Sequence, residues 1–295
     1  MTPEISEFSY GFSLTHECIA DIGDLNAAPI FPSLIEEGRS GGGYDVKLDS
    51  PGILLFLQFK RSDCLTRRSA KEIKDHNINF KLPFYRFKIT ERRRSRQHDL
   101  LLGLDQGPNA VFYAAPKFHL PNELNDAWKN GNMIDKSFFI RPRDIGVLDD
   151  GFHHVSFDER IHRVFSEPKE VRGYHGDEFR KTLTTQLDQI SIPLDSGIVE
   201  EALILAKQAE QFADELEEER EALREEESLK LEGPQEIARA LISPQQEIET
   251  EAPIQYPARR LPEPRPAKSR TEENLRTLAD IALKNLGAQL YVIQK

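Results

Sequence analysis

Up to about residue 165, short apolar runs alternate with amphipathic stretches, a pattern that predicts an α/β chain. A first helix is expected over Ser13 to Asp24, with Ser13 as its N-cap. Tyr44 to Leu48 and Ile53 to Lys60 read as two strands of a hairpin, joined by the turn-forming set Asp49-Ser50-Pro51-Gly52. Phe84 to Ile89 alternates as a strand does, Ser95 to Leu104 reads as helix, and Asn109 to Ala115 reads as a buried strand. Asn122 to Asn130 is a short helix closed by Gly131, and Ser137 to Ile140 and His153 to Phe157 are further strands.

Beyond residue 165 the pattern changes. Gly176 to Ile190 is helical in character. From Ile198, the apolar positions Ile198, Ala202, Leu205, Ala209, Phe212 and Leu216 form a heptad-like seam that runs into a Glu-rich tail. Gly233 to Lys268 contains seven prolines and reads as a flexible linker. Thr271 to Leu286 then regains a helical apolar face of Leu275, Leu278, Ala279, Ala282 and Leu286, followed by the apolar Leu290-Tyr291-Val292-Ile293. The expected organisation is a compact domain over residues 1–165, a helical acidic arm over 166–232, the linker over 233–268, and an interaction segment over 269–295. An isolated helix of about four turns is marginal in water. Residues 269–295 are therefore expected to dock on a partner, another subunit or a second copy, and the chain to form a homo- or hetero-oligomer. The alternative is packing on the chain's own core, against the Ile198 to Leu216 stripe.

Charge sharpens this division. The chain carries a net −11, but residues 60–96 hold 13 Lys/Arg against four acids, whereas residues 200–233 hold 13 acids against four bases. A basic front half beside an acidic arm points to polyanion binding in the front half. Arg92, Arg93, Arg94 and Arg96 are the candidate phosphate contacts, and the aromatics interleaved with this segment read as core. Two isolated cysteines, Cys18 and Cys64, imply neither a disulfide framework nor a zinc site. The first ten residues have no basic start followed by an apolar run, and no apolar stretch reaches membrane-spanning length; the expectation is a cytoplasmic protein.

The chemistry-bearing stretch is Gly43-Tyr44-Asp45-Val46-Lys47-Leu48, a turn, then Phe56-Leu57-Gln58-Phe59-Lys60. Strand residues two apart share a face, so Gln58 and Lys60 project together while Leu57 and Phe59 point away. A hairpin turning at Pro51-Gly52 would bring Asp45 alongside them. A carboxylate, an amide oxygen and an ammonium group would then meet at one edge of a sheet. The same residue types also occur as solvated edge residues, and the adjoining basic segment favours the site.

On these residues the chain resembles the PD-(D/E)xK nuclease superfamily. The resemblance covers roughly the first half of the sequence. It implies a restriction-endonuclease-like mixed sheet flanked by helices, followed here by the helical arm and the Pro-rich linker. Asp45 matches the family's strand aspartate, Lys60 its lysine, and Gln58 stands where the second acid usually sits. A glutamate from an earlier helix is also implied; Glu17 is the better match, 28 residues before Asp45, and Glu37 the second. Asp45, the Gln58 side-chain oxygen and the Phe59 carbonyl would ligate Mg²⁺ or Mn²⁺, which prefer oxygen donors. Lys60 would orient water and stabilise developing charge. Gln97 is an auxiliary on the following helix. The implied activity is metal-dependent phosphodiester hydrolysis, in DNA first, with genome defence or repair as an analogy. A non-cleaving nucleic-acid-binding or scaffolding subunit is the other reading, and the amide at position 58 favours it.

Overall fold

The computed structural model describes residues 1–22, 52–92, 95–105, 109–166, 168–191, 193, 197–208, 218 and 270–294. The expected strand 44–48, with Asp45, lies outside them, as do Glu37, Arg93, Arg94 and the proline-rich stretch. The elements in chain order are α1 (Glu7–Ile22), β1 (Gly52–Phe59), β2 (Asp63–Leu65), α2 (Lys71–Lys74), β3 (Phe84–Ile89), α3 (Gln97–Leu104), β4 (Ala110–Pro116), α4 (Pro121–Lys129) and β5 (Ser137–Ile140). They continue through α5 (Pro142–Ile145), β6 (His153–Phe157), β7 (His162–Phe165), β8 (Lys169–Glu170) and α6 (Gly176–Gln189). A helix α7 over 198–208, then α8 (Arg270–Leu286) and β9 (Ala288–Gln294), complete the fold.

Among the described residues the strands form two sheets, one ordered β5-β4-β1-β9 and the other β2-β3-β6-β7-β8. The first is mixed: β1 runs parallel to β4 and antiparallel to β9. Its central strands are apolar on both sides, as a doubly covered sheet requires. On one face Leu55, Leu57, Phe112 and Phe139 pack against Tyr10 and Leu14 of α1 and Phe179 and Leu183 of α6. On the other, Leu54, Phe56, Val111 and Tyr113 pack against Phe87, Val155 and Phe157 of the second sheet, Leu101 of α3, Ala202 of α7 and Leu278 of α8. The architecture is thus α/β, a mixed sheet flanked by helices. Among the described residues no helix is long and apolar enough to cross a membrane, and both cysteines are buried free thiols.

Several expectations are revised. The first helix begins at Glu7, capped by Ser6, whose Oγ accepts the Ser9 N–H at 2.9 Å. Ser13 is interior and donates its hydroxyl to the Ser9 carbonyl, a back-bond available to a mid-helix serine. Along Leu55–Gln58, β4 and β9 occupy the two sides of β1; the expected partner strand 44–48 lies outside the described residues. Val171, Phe179, Leu183, Val199 and Ala202, beyond residue 165, pack into the same two cores as the strands before it. The stripe on α7 turns Val199, Ala202, Leu203 and Ala206 inward. Ile198 and Leu205 of the expected seam sit at its margin.

The largest correction concerns the C-terminus. Instead of docking on a partner, β9 pairs with β1 over seven residues, from Gly52↔Gln294 to Gln58↔Ala288. α8 buries Leu275, Leu278, Ala279, Ile281 and Ala282 in the chain's own core, beside α7. The physical reason is the exposed edge of β1: an apolar strand with an unpaired ladder takes the nearest apolar segment able to satisfy it. Tyr291 fixes the attachment on the other face, with its hydroxyl hydrogen-bonded to Thr15 of α1.

Candidate active site

The site forms where β1 ends. Alternation puts Gln58 on the face shared with Leu54 and Phe56, and Lys60 follows on the same side; Leu57 and Phe59 face α1. The backbone at Lys60 stays tied to the sheet, its N–H donating to the Ala114 carbonyl at 2.9 Å. Both side chains are buried, Gln58 at 4% and Lys60 at 9% exposure. Phe59 stands edge-on to Tyr10 at 5.9 Å. α1 crosses it so closely that a Cβ on Gly11 would lie 2.6 Å from the Phe59 ring.

α3 delivers the next group. Lys60 Nζ donates to Gln97 Oε1 at 3.4 Å and lies 5.7 Å from the centre of the Tyr113 ring, the residue opposite Gln58 in register. The neighbouring His98 anchors this arrangement. Its Nε2 is 2.8 Å from the Gly146 carbonyl, which only accepts, so Nε2 carries the proton and Nδ1 accepts from the Tyr113 hydroxyl at 3.0 Å. Burial pushes the His98 pKa down, against the opposing pull of the Gly146 hydrogen bond, which keeps that neutral tautomer. Above the site runs the α8–β9 junction. Gly287 has φ +57°, and a Cβ there would lie 2.9 Å from Gln97 Nε2 and 3.5 Å from Gln58 Nε2. Only a residue without a side chain lets the backbone pass this close to both amides.

Electrostatically the site is a buried amine with little compensation. Desolvation pushes the Lys60 pKa down to about 8, opposed by the carboxylate of Glu7. Glu7 opens α1, one helical turn before Gly11, the point at which the helix meets Phe59. It is the helix acid that the structure brings toward Lys60. Glu17 serves elsewhere. It is ten residues further along α1, about 15 Å away at 1.5 Å per residue. Its carboxylate accepts the Met133 and Ile134 N–H groups at 2.5 and 2.9 Å, holding the turn between α4 and β5. A helix start at Ser13 leaves Glu7 outside the helix; the Ser6 cap, three residues before Ser9, is the sequence signal that brings it in.

No family model, curated protein or solved structure matches this chain.

Gln58 Oε1 is buried and has no hydrogen-bond partner among the described residues. A buried acceptor without a donor is costly, and an oxygen donor of this kind suits a hard cation such as Mg²⁺ or Mn²⁺. Among the described residues no three His, Cys, Asp or Glu side chains converge; Phe59, whose carbonyl was the other expected ligand, is described, and Asp45 lies outside the described residues. The basic segment is less open to phosphate than its composition implies. Arg92 and Arg96 both bond Asp99, at 2.9 and 3.3 Å, and Arg86 is divided between Asp63 and Glu72, each at 3.0 Å. Arg93 and Arg94 lie outside the described residues.

Proposed function

We propose that this chain is a metal-dependent nuclease with a restriction-endonuclease-like core. One observation carries the reading: Gln58 and Lys60 from the end of β1 meet Gln97 from α3 at a buried point, on a strand whose next parallel neighbour, β4, follows that helix. The strand–helix–strand order and the position of the lysine support the resemblance seen in the sequence.

Lys60 has a definite chemical role in this reading. An amine with a pKa of about 8 carries its proton at neutral pH, and burial makes that charge more effective on a phosphate oxygen than an exposed lysine would be. Gln97 accepts one of its N–H groups and so limits where the ammonium can point. The Lys60 proton is also loosely enough held to exchange with a reacting oxygen near neutral pH. Asp45 and Gln58 Oε1 would hold Mg²⁺ or Mn²⁺, whose contribution when bound is to neutralise the phosphate and acidify a water.

The amide at position 58 favours a second reading, a subunit that binds nucleic acid without cutting it. One assay separates the two: the full chain is incubated with linear, circular and single-stranded DNA and with RNA, in Mg²⁺, Mn²⁺ or EDTA. The nuclease reading expects metal-dependent cleavage that Asp45→Ala and Lys60→Ala abolish. Wild-type chain that binds these substrates but cuts none of them in either metal supports the second reading. Cleavage at the wild-type rate by both variants would overturn the site.

A further inference from the structure

On the opposite face of the first sheet, a cleft of about 590 Å³ opens between α6 and the end of β5. It shares no residue with the site above. Four cations line it, Arg141, Arg143, Arg172 and Lys181, against one lining carboxylate, Glu178. The three guanidinium groups are each held in place. Arg141 donates from Nε and Nη2 to Asp105 Oδ1, at 2.8 and 2.5 Å, and lies over the Phe112 ring at 5.3 Å. Arg143 reaches the same Asp105 oxygen at 3.0 Å while remaining 42% exposed. Arg172 stacks over Tyr174 at 4.9 Å, and the Tyr174 hydroxyl is fixed in turn by Asp144 at 3.1 Å. Lys181 and Arg172 are exposed at the rim. Asp105 is fully buried, Arg141 is buried against it and the Asn109 carbonyl, and the exposed lining charges are Arg143, Arg172 and Lys181 against Glu178.

We infer that this cleft binds a phosphate-bearing ligand. Guanidinium forks match phosphate oxygens two at a time. Here the ordering cost has been met before binding, by the aromatic faces and by Asp105. The exposed Arg143, Arg172 and Lys181 line one cleft, where a multiply charged anion can meet more than one of them. The outward face of α6 continues the cleft with neutral donors and acceptors, Thr185 and Gln189, suited to the sugar or base of a nucleotide. The ligand chemistry has two sources, a free nucleotide or the backbone of a polynucleotide.

Isothermal titration of the full chain at low salt in EDTA tests this, with inorganic pyrophosphate, ATP and a short single-stranded oligonucleotide as probes. Arg143→Ala combined with Arg172→Ala is expected to weaken binding by about tenfold per residue. Arg172→Gln with Lys181→Gln is the second variant, confined to the rim in case the first disturbs Asp105. Neither double variant touches a residue of the nuclease site, which separates this cleft from it. Binding of pyrophosphate and ATP that both double variants weaken supports the cleft with a free nucleotide as source. Binding of the oligonucleotide alone, weakened in the same way, supports it with a polynucleotide. No binding of any probe, or binding insensitive to both double variants, overturns it.

Discussion

Replacing Lys60 by methionine is expected to make the protein more stable at neutral pH, by an amount that shrinks through zero and reverses in alkali, where only the lost Gln97 bond remains. The buried amine titrates near 8 in the folded chain against an ordinary 10.5, which corresponds to ~3 kcal/mol against the charged form at 1.36 kcal/mol per tenfold. Methionine fills similar space without that charge and gives up the 3.4 Å bond to Gln97, worth about 1 kcal/mol. The net gain is about 2 kcal/mol at pH 7. The sign follows from proton binding. Below pH 8 both folded and unfolded chains hold the proton, and the burial cost is fully present. Between 8 and 10.5 the unfolded chain binds it and the folded chain does not, so wild-type stability rises through that window and is restored above it. Urea denaturation of wild type and Lys60→Met from pH 7 to pH 10.5 measures the difference directly, and subtraction removes the other lysines and tyrosines. A variant no more stable than wild type at pH 7, with a pH-independent difference, would refute the picture of an undercompensated buried amine.

Gly287→Ala is expected to lower stability by more than about 1 kcal/mol, since φ is +57° and the new Cβ would press on Gln97; an unchanged melting temperature would contradict this. Glu17→Gln is expected to cost about 1–3 kcal/mol by weakening the acceptor of two buried N–H groups. Glu7→Gln should leave stability near wild type and lower the Lys60 pKa further, read as a shift of the pH window above; the reverse pattern would exchange the roles given to these two glutamates. Deleting residues 270–295 is expected to give an aggregating chain, because it uncovers the β1 edge and the face covered by Leu275, Leu278 and Ala282. A soluble, monomeric truncation with unchanged melting would show that α8 and β9 are not part of the fold's core.

Local pattern was enough for most of the individual elements. Phe84–Ile89, Ser137–Ile140 and His153–Phe157 have the bounds that the local sequence pattern predicts, because side-chain period and burial are short-range properties of a strand. The same two-residue period placed Gln58 and Lys60 on one face, since that follows from strand geometry alone. What the chain does over long separations was not legible. Nothing near Gly52 announces that its partner is Gln294, and a turn-forming Asp-Ser-Pro-Gly next to an apolar strand reads as a hairpin whichever strand finally takes the edge. The contact of Gln97 with Lys60, the Gly287 backbone above both amides, and the gathering of Arg141, Arg143, Arg172 and Lys181 depend likewise on how helices and sheets pack. Pairing and packing are settled by competition among distant segments for the same buried edge or face, and that competition is decided only when the whole core closes.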